Sequence, residues 1–297
     1  MKSSTKGHIA LIIANIIYGI NYIVAKEVMP KYIEPVGFIG LRIAGAALLF
    51  WIVSLWYPQK LERKDALLFV LCGVFGVAIN QLMFFMGLNL TTPINASIIM
   101  ICTPILVLAS TFIVLKESIE LKRIIGISLG ICGALWLILI AGNAKFGNDT
   151  SKGDFMILIN AISFTIYLVL AKPLFKKYSV ITISKWIFLV GTIIVFPFSL
   201  NDLNHVEWST FPMEIWIDVI YVVVAVTFFA YLLNNYGLKV LSPNIVSIYI
   251  YSQPLLAAMI AVNLGKDTID LNKIIAALLI FTGVYLSSST KTHKIKI

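Results

Sequence analysis

Ten stretches of this chain are long, apolar and almost free of charge, at about 8–29, 37–57, 66–88, 93–115, 124–142, 154–172, 181–200, 213–236, 244–264 and 273–289. An α-helix needs about 20 apolar residues to cross ~30 Å of hydrocarbon, and most of these runs approach that length. They are apolar all round, as in LCGVFGVAI (71–79) or LVLASTFIVL (106–115). The strands of a membrane barrel would instead alternate over ten-residue segments. Composition then decides the solvent: 60% of the 297 residues are hydrophobic, 12% are charged, and mean hydropathy is +0.95. Soluble domains carry about 25% charged residues, so part of this protein's solvent is lipid.

The expected fold is an all-α integral membrane protein with ten transmembrane helices. The first run follows Lys2 and Lys6, as a signal peptide would, but has no small-x-small cleavage site and reads as a retained helix. Lys and Arg gather on the cytoplasmic side of membrane proteins. With the N-terminus inside, most of them fall in cytoplasmic segments around 2–6, 60–64, 116–123, 172–185, 239 and 291–296. The outer loops hold Lys26, Lys31, Lys145, Lys152, Lys266 and Lys273. Both termini are therefore expected in the cytoplasm. The net charge of +9 is explained by topology, and no basic, aromatic-interleaved patch points to nucleic acid. Cys72, Cys102 and Cys132 lie inside apolar runs without CxxC or Cys/His spacing and read as small buried hydrophobes.

The chain also repeats itself. Shifted by 150 residues, MGLNLTTP (86–93) lies over YGLKVLSP (236–243), and LKESIELKRIIG (115–126) over GKDTIDLNKIIA (265–276). TPINASIIMICTP (92–104) and SPNIVSIYIYSQP (242–254) share two prolines at the same spacing. Nearer the start, YIVAK (22–26) matches YLVLAK (167–172) at a shift nearer 146. The division is 1–145 and 146–297, five runs each. A second copy of an odd unit enters the membrane from the other side, so the repeats are inverted, the architecture of secondary transporters. Pro93 and Pro243 sit where a helix begins. Pro104 and Pro254 fall mid-run, where proline frees a carbonyl and bends the helix, which needs a buried or cavity-lining setting.

Three features together resemble the drug/metabolite transporter superfamily, of the EamA type: ten runs, a five-plus-five inverted repeat, and KESIELKRIIGISLGICGALWLI (116–138). NIIYGINYIVAK (15–26) is similar to the family's first span, with Tyr18 in place of its tryptophan and Gly19, Asn21 and Tyr22 in register. Arg42 matches a recurrent family arginine. The resemblance implies export of amino acids, drugs or other small metabolites from the bacterial inner membrane. It also implies a cavity surrounded by spans one, three, four, six, eight and nine.

Polar side chains within spans tend to face a bundle's interior. The candidate substrate-binding residues are Asn15, Tyr18, Asn21 and Tyr22 in run one and Asn80 and Gln81 in run three. Run four adds Asn95, Ser97 and Thr103, and run six Asn160, Ser163 and Tyr167. Run eight adds Tyr231 and Asn234, and run nine Ser247, Tyr251 and Gln253. Such amides, hydroxyls and rings suit a polar or zwitterionic molecule with an apolar part. Asn15 and Asn21, six apart, belong to different helix faces. Arg42 is expected to anchor a helix, as Lys185 does at the head of run seven, rather than to hold a substrate carboxylate. Gly126 and Gly130 read as close helix packing. Asp218 is the candidate for proton coupling, with Glu27 and Glu214 also near the outer face; a facilitator is equally compatible.

An intramembrane enzyme would need a nucleophile with a base, or metal ligands, at membrane depth. His8, His205 and His293 lie at ends or in loops, and no HExxH or G-x-S-x-G occurs. Asp267 and Asp270 look like a helix-start signature, their repeat partners being Glu117 and Glu120. No GxxxxGK[ST] supports a pump. A channel would want a charged ring, and a non-transporting scaffold remains the bland alternative. The expectation is a non-enzymatic secondary transporter working by alternating access, with import or drug efflux as alternatives within that class. It implies no cofactor or metal, and its partners are a small-molecule substrate and the lipid bilayer. Oligomeric state is not legible.

Overall fold

The computed structural model describes residues 3–115, 121–136, 149–265 and 267–288. Glu117, Glu120, Lys145, Lys266 and His293 lie outside the described residues. The described chain is helical, without a strand. In order the elements are α1 (Ser3–Val28), α2 (Pro35–Ser54), α3 (Arg63–Leu90), α4 (Pro93–Met100), α5 (Cys102–Leu115) and α6 (Leu121–Trp136). The second half follows with α7 (Asp149–Lys177), α8 (Val180–Asn204), α9 (Met213–Val240), α10 (Pro243–Ile248), α11 (Ser252–Asn263) and α12 (Leu271–Ser288). Among the described residues, seven helical stretches are long and apolar enough to cross a membrane: α1, α2, α3, Pro93–Ser110, α7, α8 and α9. Shorter apolar stretches lie in α6 and α12.

Polarity is distributed as lipid demands. Large apolar side chains such as Leu48, Ile193, Phe198, Ile220 and Leu278 are exposed. Asn15, Asn80, Gln81, Asn160 and Asn235 are buried. The protein is a multi-pass membrane protein. Cys72 and Cys102 are buried as expected, but Cys132 is exposed on α6, because its helix turns that face away from α12.

The prolines act as their positions dictate. Thr92 and Ser242 accept hydrogen bonds from the backbone N–H of Asn95 and Ile245, capping helices that open with Pro93 and Pro243. The first of the two paired segments breaks at Ile101, three residues before Pro104. The second breaks at a 3₁₀ turn over Tyr249–Tyr251, just before Pro254. A proline cannot donate and crowds the carbonyl four residues back, so the break falls one turn earlier.

Glycines set the closest helix contacts. A Cβ added to Gly283 of α12 would stand 2.5 Å from the Gly126 carbonyl oxygen and 2.6 Å from the Gly130 nitrogen of α6. The Gly126/Gly130 spacing is thus a packing surface. Gly40 on α2 likewise takes Ser199 of α8. These pairs flank a central group, α1, α3, α7 and α9, that encloses the polar interior.

Candidate functional site

α3 and α9 each contain a stretch of π-helix, Val74–Ala78 and Tyr221–Ala230. A π turn inserts one residue and leaves carbonyls without their usual partners. Side chains from elsewhere take them: Ser163 Oγ donates to Phe75 O (2.6 Å), and the Tyr231 hydroxyl lies 3.0 Å from Gly76 O. Thr227 Oγ1 donates to Val222 O (2.6 Å). Immediately after each stretch come the polar groups it re-aims, Asn80 and Gln81 on α3 and Tyr231 and Asn234 on α9.

These groups face one cavity of about 70 Å³, well above the roughly 10–15 Å³ that a cavity needs to hold water. α1 supplies Asn15, Tyr18, Asn21 and Tyr22; α7 supplies Asn160 and Phe164; α3 adds Phe84 and Phe85. Met100, Val226, Ile250 and Gln253 complete the wall with Arg42 of α2. Asn15 and Asn21 both reach it despite their separation on the helix, because the cavity wraps around α1. The polar groups form two hydrogen-bonded clusters. In the first, Gln253 Nε2 donates to Asn15 Oδ1 (2.6 Å), and Tyr22 donates to Gln253 Oε1 (3.0 Å). In the second, Asn160 Nδ2 donates to the Asn80 carbonyl (2.7 Å). Gln81 Nε2 donates to Asn80 Oδ1 (3.0 Å) and to the Tyr231 hydroxyl. Tyr18 meets Tyr231 edge-on at 6.4 Å. Asn21 Oδ1 and Asn160 Oδ1 are buried with no donor among the described residues.

Other sequence candidates lie elsewhere. Ser163 is spent on the π turn of α3. Tyr167 packs over Gly76, where a Cβ would stand 2.4 Å from its ring, and donates to Asn235 Oδ1, which binds α7 to α9 behind the wall. Ser97 and Ser247 donate to carbonyls of their own helices, Ile94 O (2.8 Å) and Asn244 O (3.0 Å). Thr103 is buried away from the cavity. Asn95 sits near the far end of the bundle, where its Nδ2 lies 3.2 Å from Asp154 Oδ2. The side chains of Tyr251 and Pro254 lie outside the described residues. Asp218 is half-buried on the first turns of α9 and does not line the cavity.

Two residues stand out that sequence reading discounted or missed. Arg42, expected to anchor a helix, is 1% exposed in the cavity wall. Its Nε donates to Thr227 Oγ1 (2.9 Å), Nη1 donates to Gln81 Oε1, and its guanidinium lies 4.0 Å from the Phe85 ring centroid. Lys185 instead approaches Ser54 Oγ (3.5 Å) and the Trp51 ring, so the two cations are not equivalent. Asp154, at the head of α7, is fully buried. It accepts from Thr91 Oγ1 and Asn95. It is the first residue of the sixth apolar run, two positions after Lys152, and sequence reading gives it no role. Beside it Asp267 pairs with Lys273 (2.7 Å) and accepts from Ile94 N (3.2 Å), while Asp270 accepts from Lys273 N (2.8 Å) at the start of α12.

Comparison with known proteins follows the same lines. The family model described as EamA-like transporter family matches residues 5–139 and 151–289. The chain is 24% identical to uncharacterized transporter YyaM of Bacillus subtilis, over 95% of this chain and 93% of the relative. It is 24% identical to an uncharacterized transporter of Archaeoglobus fulgidus, covering 98% and 100% of the two chains. A WAT1-related protein of Arabidopsis thaliana is 24% identical over 91% of this chain and 79% of its own. A solved crystal structure superposes with a TM-score of 0.63 over 96% of both chains at 16% identity, which establishes likeness of fold alone.

Proposed function

The chain belongs to the EamA-like transporter family, and on that premise we propose that it carries small polar metabolites, amino acids or related polar aromatic compounds, through this cavity by alternating access. The observation that carries the reading is the wall itself. Amides and phenols from both halves of the chain converge between helices whose outer faces are apolar. A polar solute needs such groups to replace its water inside a membrane. The rings of Tyr18, Tyr22, Phe84 and Phe164 give an apolar part something to lie against.

The proposed arrangement is ten spans in two inverted five-helix repeats, both termini cytoplasmic, in the inner membrane, with export as the direction. The breaks at Ile101 and at 249–251 support it, since each divides a span beside the cavity and offers a place to bend. The test is counterflow in proteoliposomes across a panel of amino acids and polar aromatic metabolites, with and without a proton gradient. Saturable exchange of at least one compound is expected. Exchange that ignores the gradient marks a facilitator; gradient-driven accumulation marks coupling. Absence of exchange across the panel would count against transport.

A further inference from the structure

Among the described residues that line the cavity, Arg42 alone carries a formal charge. None of the ion pairs among the described residues includes it. The two acceptors that hold it are neutral and oriented. Thr227 gives its proton to Val222 O, and Gln81 gives its amide hydrogens to Asn80 and Tyr231. Each therefore turns a lone pair toward Arg42. They occupy two of a guanidinium's five donors and bring no compensating charge. Phe85 lies against the guanidinium at 4.0 Å, which fixes its plane. A cation buried without a counter-charge is strongly disfavoured unless something ionic joins it. The anchoring role expected from the sequence does not account for this, because an anchor gains nothing from facing the cavity.

The other unmet groups in the same wall are of opposite character. Asn21 Oδ1 and Asn160 Oδ1 are buried acceptors with no donor among the described residues. A molecule that completes both sets carries an anionic oxygen pair for Arg42 and N–H donors for the amides. A planar fork matches a carboxylate in two parallel hydrogen bonds. We infer that Arg42 reads a carboxylate on the transported molecule and that the cavity selects small zwitterions and monocarboxylates over organic cations. Asn21 and Asn160 receive the ammonium of a zwitterion. This rests on the transport reading above, and it narrows that reading by excluding cationic drugs as the cargo.

The test compares four compounds of one size and shape on the full chain. Phenylalanine carries both charges, 3-phenylpropanoate only the carboxylate, and phenylethylamine and phenylalaninamide only the amine. Exchange in proteoliposomes and thermal stabilisation of the purified protein are measured for each. The two carboxylates should be favoured over the two amines by at least ~10-fold in apparent affinity, since a hydrogen bond to a charged group is worth that much. Arg42→Gln should bring the ratio within about 2-fold, and Arg42→Lys should keep part of it, a point charge lacking the fork. Should Arg42→Gln fail to fold, the wild-type ligand series still decides. Wild-type protein that exchanges phenylethylamine as well as phenylalanine would overturn the inference and leave transport standing. Carboxylates that stabilise the wild type but not Arg42→Gln, with no exchange at all, would uphold carboxylate recognition by Arg42 and overturn the claim that the recognised molecule is transported. If none of the four exchanges or stabilises, the inference falls, and transport is decided by the wider panel above.

Discussion

At the end of the bundle where the chain begins, Lys172 Nζ donates to the carbonyl oxygens of Leu238 (2.6 Å) and Leu241, which close α9. At the opposite end, Lys26 Nζ donates to the carbonyl of Thr91, which closes α3. Thr91 and Leu241 are 150 positions apart, and the two lysines end the matching segments 22–26 and 167–172. Glycines follow the same plan. Gly7 packs on Val240 and Leu241, and Gly153 on Gly87, Leu90 and Thr91. The frame is shared, but its filling is not. Beside Gly153 lies the buried acid Asp154, held by Thr91 and Asn95; beside Gly7 lies His8, 2.6 Å from the Tyr249 hydroxyl. Duplicated backbone contacts thus preserve how each end packs, while unlike side chains make the two ends differ in charge and in the strength of their hold.

The largest difference should come from the glycines. A Cβ at Gly153 would stand 2.7 Å from the Gly87 oxygen and 2.9 Å from the Thr91 nitrogen, backbone atoms that cannot move aside. A Cβ at Gly7 would meet only side chains of Val240 and Leu241. Overpacking costs ~1–3 kcal/mol, so Gly153→Val should fall at the upper end and Gly7→Val at the lower, read by thermal unfolding in detergent. Equal losses would mean that the two ends are interchangeable.

Asp154→Val should be next. It strands the Thr91 hydroxyl and the Asn95 amide, at ~1–3 kcal/mol for buried unpaired groups. His8→Phe, at a half-exposed site, should lose under ~1 kcal/mol, about the net worth of one ordinary hydrogen bond. Asn95→Leu belongs with Asp154→Val. Because Asn95 does not line the cavity, it should slow turnover in counterflow while leaving the apparent substrate affinity unchanged. A rise in KM alone would return Asn95 to the binding site.

The smallest effect is expected from the lysines. Removing a cation from a helix C-terminus costs about 0.3–1 kcal/mol. Lys172→Met should lose more than Lys26→Met, because Lys172 serves more than one carbonyl. The reverse order in melting temperature would show that the Asp267–Lys273 pair near Thr91 makes Lys26 the stronger tie.

Much of this molecule was legible along the chain. Apolar runs gave the helices, and Thr92–Pro93 and Ser242–Pro243 gave their starts. Pro104 and Pro254 marked breaks that fall one turn earlier. Asn15, Tyr18, Asn80, Gln81, Tyr231 and Gln253 were among the candidates that converge on the cavity. Ser163, Tyr167 and Asn95 carried the same polar signal and went to other work, since an amide or hydroxyl within a span looks alike whether it binds solute or glues helices. Nothing in VFGVA or YVVVAVTFFA announces a π turn, yet those turns set which residues of α3 and α9 face inward.

The sequence by itself determined that this chain lies in lipid as helices and repeats its frame, because hydropathy, proline and helix caps act over a few residues. Only the tertiary structure decided that Arg42 turns inward with no acid beside it among the described residues and that Asp154 is sealed at one end. Those outcomes depend on Thr227, Gln81, Thr91 and Asn95, which reach them across helix contacts that no local pattern encodes.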